Sequence, residues 1–98
     1  MNDPVSKRSG IDLIAIERHR QIHELGWTPE HDAEHVNGEL AAAACCYAMP
    51  FASSYGQPPA DWPWHKKWWK PSNYSVRNLV RAGALIAAEI DRLLAQPH

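Results

Sequence analysis

The segment between Phe51 and Pro71 constrains the fold more than any other part of the chain. It holds four prolines, at positions 58, 59, 63 and 71, a single glycine, and the run WPWHKKWWK at 62–70. Proline lacks a backbone N–H and clashes with the preceding turn, so neither a helix nor a central strand can run through this stretch. A structureless connection of about twenty residues is uncommon in a compact domain and is often functional. Regular structure must therefore form on either side of it.

Both sides read as helix. Upstream, Ile11, Ile14, Ile22 and Leu25 recur at helical spacing and Gly26 supplies a stop, which predicts a helix over 10–25. GWTPEHD follows. Thr28 can cap, Pro29 suits the first helical position, and Glu30 and Asp32 complement the positive end of the helix dipole. The second helix is expected to continue unbroken to Met49, where Pro50 ends it. Downstream, Val76, Leu79, Val80, Gly83, Ile86, Ala87, Ile90, Leu93 and Leu94 form one long apolar stripe on a helix over 75–95. No strand candidate and no internal repeat stands out. The expectation is an all-α protein: a three-helix bundle with a long Trp/Pro-rich loop between helices two and three. Residues 1–9 are expected to be loose and 10–98 to form a single helical domain.

Ninety-eight residues make a small core, marginal unless it is well packed or shared. The apolar fraction is 45%, but much of it is alanine, in AAAA at 41–44 and AGALIAA at 82–88, which buries little area per residue. Further burial must come from the tryptophans or from a second copy, so a homo-oligomer is expected. The formal charge of −1 supplies no basic field and argues against nucleic acid as a partner. Cys45 and Cys46 are adjacent on a helix, point apart, and suggest neither a disulfide nor a paired zinc motif. The apolar run from Ile11 to Ile16 is short and carries Asp12, so no signal peptide or membrane span is expected; the chain reads as cytoplasmic.

Two clusters carry candidate chemistry. On an unbroken second helix, Asp32, His35 and Glu39 are spaced by three and four and share one face, with His31 a turn before His35. Imidazole and carboxylates so placed can hold a divalent ion such as Mg²⁺ or Mn²⁺. The same groups can instead form a partly buried hydrogen-bond network tying helix two to helix one, with Glu39 meeting Arg18 or Arg20. Glu17, Gln21 and Glu24 read as a solvated face, although Glu17, at mid-helix, can also turn towards the helix-two stripe and join a ligand site. The second cluster is the tryptophan run. Rings interleaved with cations suit a nucleotide: Trp68 and Trp69 for the base, Lys66, Lys67 and Arg81 for phosphate. The competing reading makes the tryptophans a plug that closes an alanine-rich core or an oligomer interface. The two readings combine if some of the rings wall a pocket.

ERHRQIHELGWTPEHDAEHVNGELAAAACCYA, then WPW and WWKP, then NLVRAGALIAAEIDRL, resembles a family of small phage and prophage proteins over roughly 17–94. That resemblance implies a bacterial host cell as the setting. GELAAA with upstream acids is similar to the helix of MazG-like all-α nucleotide pyrophosphohydrolases, whose helical carboxylates hold magnesium against a nucleoside triphosphate. In that pattern Glu39 matches the second acid of ExxE. Val36 stands in place of the first, and Asn78 and Arg81 lie where a further acidic pair is expected. The expected function is binding of a nucleotide or nucleotide-derived small molecule. The alternatives are a divergent metal-dependent (d)NTP pyrophosphohydrolase and a protein-interaction module acting on a host defence protein.

Overall fold

A computed structural model describes residues 8–50, 52 and 56–96. The regular structure among the described residues is helical: α1 (Gly10–His23), α2 (Pro29–Asp32), α3 (Glu39–Ala48) and α4 (Ser75–Ala95), with a 3-10 turn at Lys66–Trp68 and no strand. Most of the N-terminal stretch expected to be loose, residues 1–7, lies outside the described residues, as does Phe51 at the head of the Trp/Pro-rich loop.

The helix starts follow local chemistry. Ser9 caps α1 in a reciprocal box: its hydroxyl accepts from the Asp12 N–H, and the Asp12 carboxylate accepts from the Ser9 N–H. Thr28 caps α2 by accepting from the His31 N–H, with Pro29 at the first helical position. Gly26, in the left-handed region at φ 76°, turns the chain between them.

The second helix is not continuous. It stops at Asp32, and the chain turns through residues 33–38 before α3 begins at Glu39. Gly38, at φ 80°, makes that reversal in a conformation that L side chains rarely adopt. Asn37 immediately before it completes an Asn-Gly pair, a turn signal inside an otherwise helical pattern.

α4 is the organising element, with α3, α1 and α2 all packed against it. The buried face of α4 is not its aliphatic stripe. Asn78, Ala82, Ala84, Leu85, Ala88 and Arg92 are buried, whereas Val76, Leu79, Ile86, Ile90, Leu93 and Leu94 are exposed. At Gly83 α1 packs tightly on α4: a Cβ built there would lie 2.5 Å from Ile14 Cδ1. Alanines thus let backbones approach, while the core's volume comes from Leu40, Tyr47, Trp69 and Leu85, with Trp27, Trp62 and Trp64 packed alongside.

The return of the chain into α4 is pinned by polar groups. Ser72 N–H donates to Asn78 Oδ1 at 2.7 Å, and Asn78 Nδ2 donates to the Ser72 carbonyl at 2.8 Å. Arg81 donates to the Lys70 carbonyl, and the Lys70 N–H donates to the Tyr47 hydroxyl at 3.2 Å. Satisfying this backbone with side chains lets an irregular segment lie against the helices.

Candidate functional site: a tryptophan and histidine cleft

Ring contacts run outward from the core without a gap. Trp69 and Tyr47 have centroids 4.8 Å apart, Trp69 and Trp62 5.0 Å, Trp62 and Trp64 5.4 Å, and Trp64 and His35 5.2 Å. Trp27, from the turn before α2, meets Trp64 at 6.4 Å. The inner end of this series is core. Its outer end walls a cleft of about 410 Å³.

Three segments wall the cleft, and Leu40 of α3 adds a core side chain to its lining. The turn at 25–27 contributes Leu25, Gly26 and Trp27; α2 and the turn after it contribute His31, Asp32 and His35. The Trp/Pro-rich loop contributes Trp62, Trp64, His65 and Trp68. The loop is held in shape by its own side chains: Trp62 Nε1 donates to the His65 carbonyl at 3.2 Å, and the Lys67 N–H donates to His65 Nδ1 at 3.1 Å. Wide aromatic walls with a few convergent polar groups are the usual make-up of a small-molecule site.

Asp32 is the one acid that lines the cleft, and it is buried. Burial pushes its carboxyl above the ordinary aspartate range, against the opposing pull of the Arg18 guanidinium. Arg18 Nη2 lies 3.2 Å from Asp32 Oδ2 and 3.8 Å from Asp91, and Arg18 Nη1 donates to the Trp27 carbonyl at 3.4 Å. One guanidinium therefore ties α1 to α2, to α4 and to a wall of the cleft. The Arg18–Asp32 pair realises the expected network between the first two helical segments, with Asp32 in the place foreseen for Glu39.

The other anticipated residues divide. Trp68 lines the cleft and is 57% exposed, with Lys67 Nζ 5.2 Å from its ring centroid. Lys66 and Lys67 are exposed and sit between the lining residues His65 and Trp68. Trp69 does not reach the cleft: it is buried against Tyr47 and Trp62, and its Nε1 has no partner. Arg81 is committed elsewhere, to the Lys70 carbonyl and, at 5.8 Å, to the Tyr47 ring.

Glu17 and Gln21 are not a solvated face. Both are buried, while Glu24 is exposed. Glu17 accepts from Arg20 Nε at 2.7 Å and Nη2 at 2.8 Å, and from Gln21 Nε2 at 3.2 Å. Burial alone would raise its pKa; these donors outweigh it and hold the carboxyl below the ordinary glutamate range.

The break after Asp32 also separates the expected metal ligands. Asp32 turns to Arg18, while His35 Nδ1 faces Glu39 Oε2 at 3.4 Å and Glu39 also accepts from the Asn37 N–H. Among the described residues, no three His, Cys, Asp or Glu side chains converge to hold a metal ion. A divalent cation on Asp32, His35 and Glu39 does not fit this arrangement. Trp27 and His65 were not anticipated as lining residues, and His31 was noted only as a neighbour of His35; Trp27 and His31 share GWTPEHD, but nothing in the sequence links that motif to His65 about thirty residues later. The nearest signal was the tryptophan of GWTPEHD, next to the cap that starts α2.

Cys45 and Cys46 are both free, the first exposed and the second buried. Among the described residues no helix is long and apolar enough to cross a membrane. Comparison with protein-family models, curated proteins and solved structures found no match.

Proposed function

We propose that the cleft binds a nucleotide or nucleotide-derived small molecule, with the base between tryptophan rings. The observation that carries this reading is the wall formed by Trp27, Trp62, Trp64 and Trp68 around about 410 Å³, a volume within the range of small-molecule sites. Tryptophan faces stack on any base, so the walls suit the ring part of the ligand. Asp32, His31 and His35 supply polar edges for its exocyclic groups. Lys66 and Lys67, exposed between His65 and Trp68, are the cations available to phosphate at the rim. Neither Trp69 nor Arg81 takes part, because the core and the loop occupy them.

Binding is preferred to pyrophosphohydrolysis. The latter needs a convergent set of carboxylates, and Asp32 and Glu39 have separate partners. A phage or prophage setting belongs to the same proposal and rests on the sequence resemblance.

A thermal-melt panel tests it. Deoxynucleoside and ribonucleoside triphosphates, nucleosides and inorganic phosphate are each added with and without Mg²⁺. Nucleotides and nucleosides are expected to raise the Tm by mass action, nucleotides more, and phosphate alone to have little effect. Trp68→Ala is expected to remove most of that increase. A flat response to millimolar ligands across the panel contradicts the proposal.

A further inference from the structure

The largest unexplained feature of the molecule is the outward face of α4. Val76, Leu79, Gly83, Ile86, Ile90 and Leu93 follow one another at spacings of three, four, three, four and three. That is the seam repeat of paired helices, sustained along the whole of a 21-residue helix. Yet Leu79, Ile86, Ile90 and Leu93 are each about half exposed, at 54%, 48%, 50% and 46%. The same helix turns Asn78 and Arg92 inward. A chain that only had to fold alone would place these residues the other way round.

We propose that this face is the surface on which two copies of the chain pair. Three observations select a second copy over a different partner. First, the core is short of apolar area: six of its eleven buried hydrophobic residues among those described are alanine, so the aliphatics it lacks are the ones on this face. Second, the stripe carries no charged residue, and the adjoining Val80, Ala87 and Leu94 are apolar as well, so two identical faces meet without repulsion. Third, its shape is right. Val76, Leu79, Ile86, Ile90 and Leu93 are each between 41% and 54% exposed, and their three-four spacing makes a narrow strip of the width that one facing helix of a second copy covers. Gly83, with Ile14 over it, marks where α1 borders the seam.

Ile86 lies near the middle of the stripe, so in a two-fold pair its two copies sit close together across the interface. This gives a test that does not depend on one variant folding. The mass of the wild-type chain, Ile86→Glu, Ile86→Lys and an equimolar mixture of the two variants is measured by light scattering at high micromolar concentration, with helix content followed by circular dichroism. The wild type is expected at twice the 11.1 kDa of one chain. Each variant alone is expected as a monomer, or with reduced helix if folding depends on pairing. The mixture is expected to regain the doubled mass and the helix signal. A wild type that stays at one chain mass overturns the proposal and leaves the face to a different protein. Variants that remain dimeric alone, or a mixture that fails to pair, overturn it equally.

Discussion

Trp68 and Trp69 are neighbours in sequence with opposite fates. Trp69 is packed against Tyr47 and Trp62, whereas Trp68 stands at the edge of the cleft. Trp69→Ala is expected to cost about 3–5 kcal/mol, the usual range for emptying a large aromatic site, while Trp68→Ala is expected to change stability by about 0.5 kcal/mol. Thermal or urea unfolding of the two variants separates them. Glu17 sets a pH dependence at the same scale. Its native pKa is lowered, so its contribution is fully present above the unfolded glutamate value of about 4.3 and is lost as pH falls through the lower native value. Glu17→Gln is therefore expected to cost about 1–2 kcal/mol at neutral pH. The gap to wild type should narrow in acid; a gap that stays constant below the ordinary glutamate range would show that the charge is not what Arg20 and Gln21 hold. The sequence marked Glu17 as a residue of interest but left its partners open, since an acid and an arginine three residues apart occur equally on solvated helices.

Among the elements, α4 was legible because Pro71 bounds it upstream and its own apolar repeat fixes its phase. What the repeat could not disclose is which arc faces inward. Alanine, asparagine and arginine look like a surface on paper, yet here they form the packed face, since small residues let α1 and α3 approach and Asn78 pins the entering loop. The break between α2 and α3 was lost for a related reason. A shared stripe of Asp32, His35 and Glu39 outweighed the Asn37-Gly38 pair, although that pair is itself a turn signal, and Gly38 settles the matter with a backbone that most residues avoid. Gly83 allows the contact between α1 and α4 to be tested. Gly83→Ala gains about 1 kcal/mol of helix propensity but drives a methyl into Ile14, at an overpacking cost of about 1–3 kcal/mol. Net destabilisation is expected in the wild-type background. In an Ile14→Ala background the same change is expected to stabilise, and a double-mutant cycle by thermal unfolding measures the sign reversal.

Across the whole molecule, the loop that interrupts the helices is also what links core to cleft. Proline and side-chain hydrogen bonds fix it, Trp69 anchors it, and Trp62 and Trp64 carry ring contacts from that anchor to the histidines. The tryptophan run suggested both a plug and a ligand wall, and the fold places Trp69 in the core and Trp62, Trp64 and Trp68 along the cleft. That Trp27 and His31 of GWTPEHD meet His65 was beyond the reach of sequence, because only the path of the loop brings His65 to them. No residue of α4 lines the cleft, so the apolar face proposed to pair with a second copy is separate from it. The most direct test of the cleft is a titration of intrinsic tryptophan fluorescence with purine and pyrimidine deoxynucleoside triphosphates, run in parallel on wild type and Trp68→Ala. Saturable quenching in the wild type, weakened at least several-fold in the variant, is the expected result. Emission unchanged up to millimolar nucleotide would contradict the assignment of the cleft.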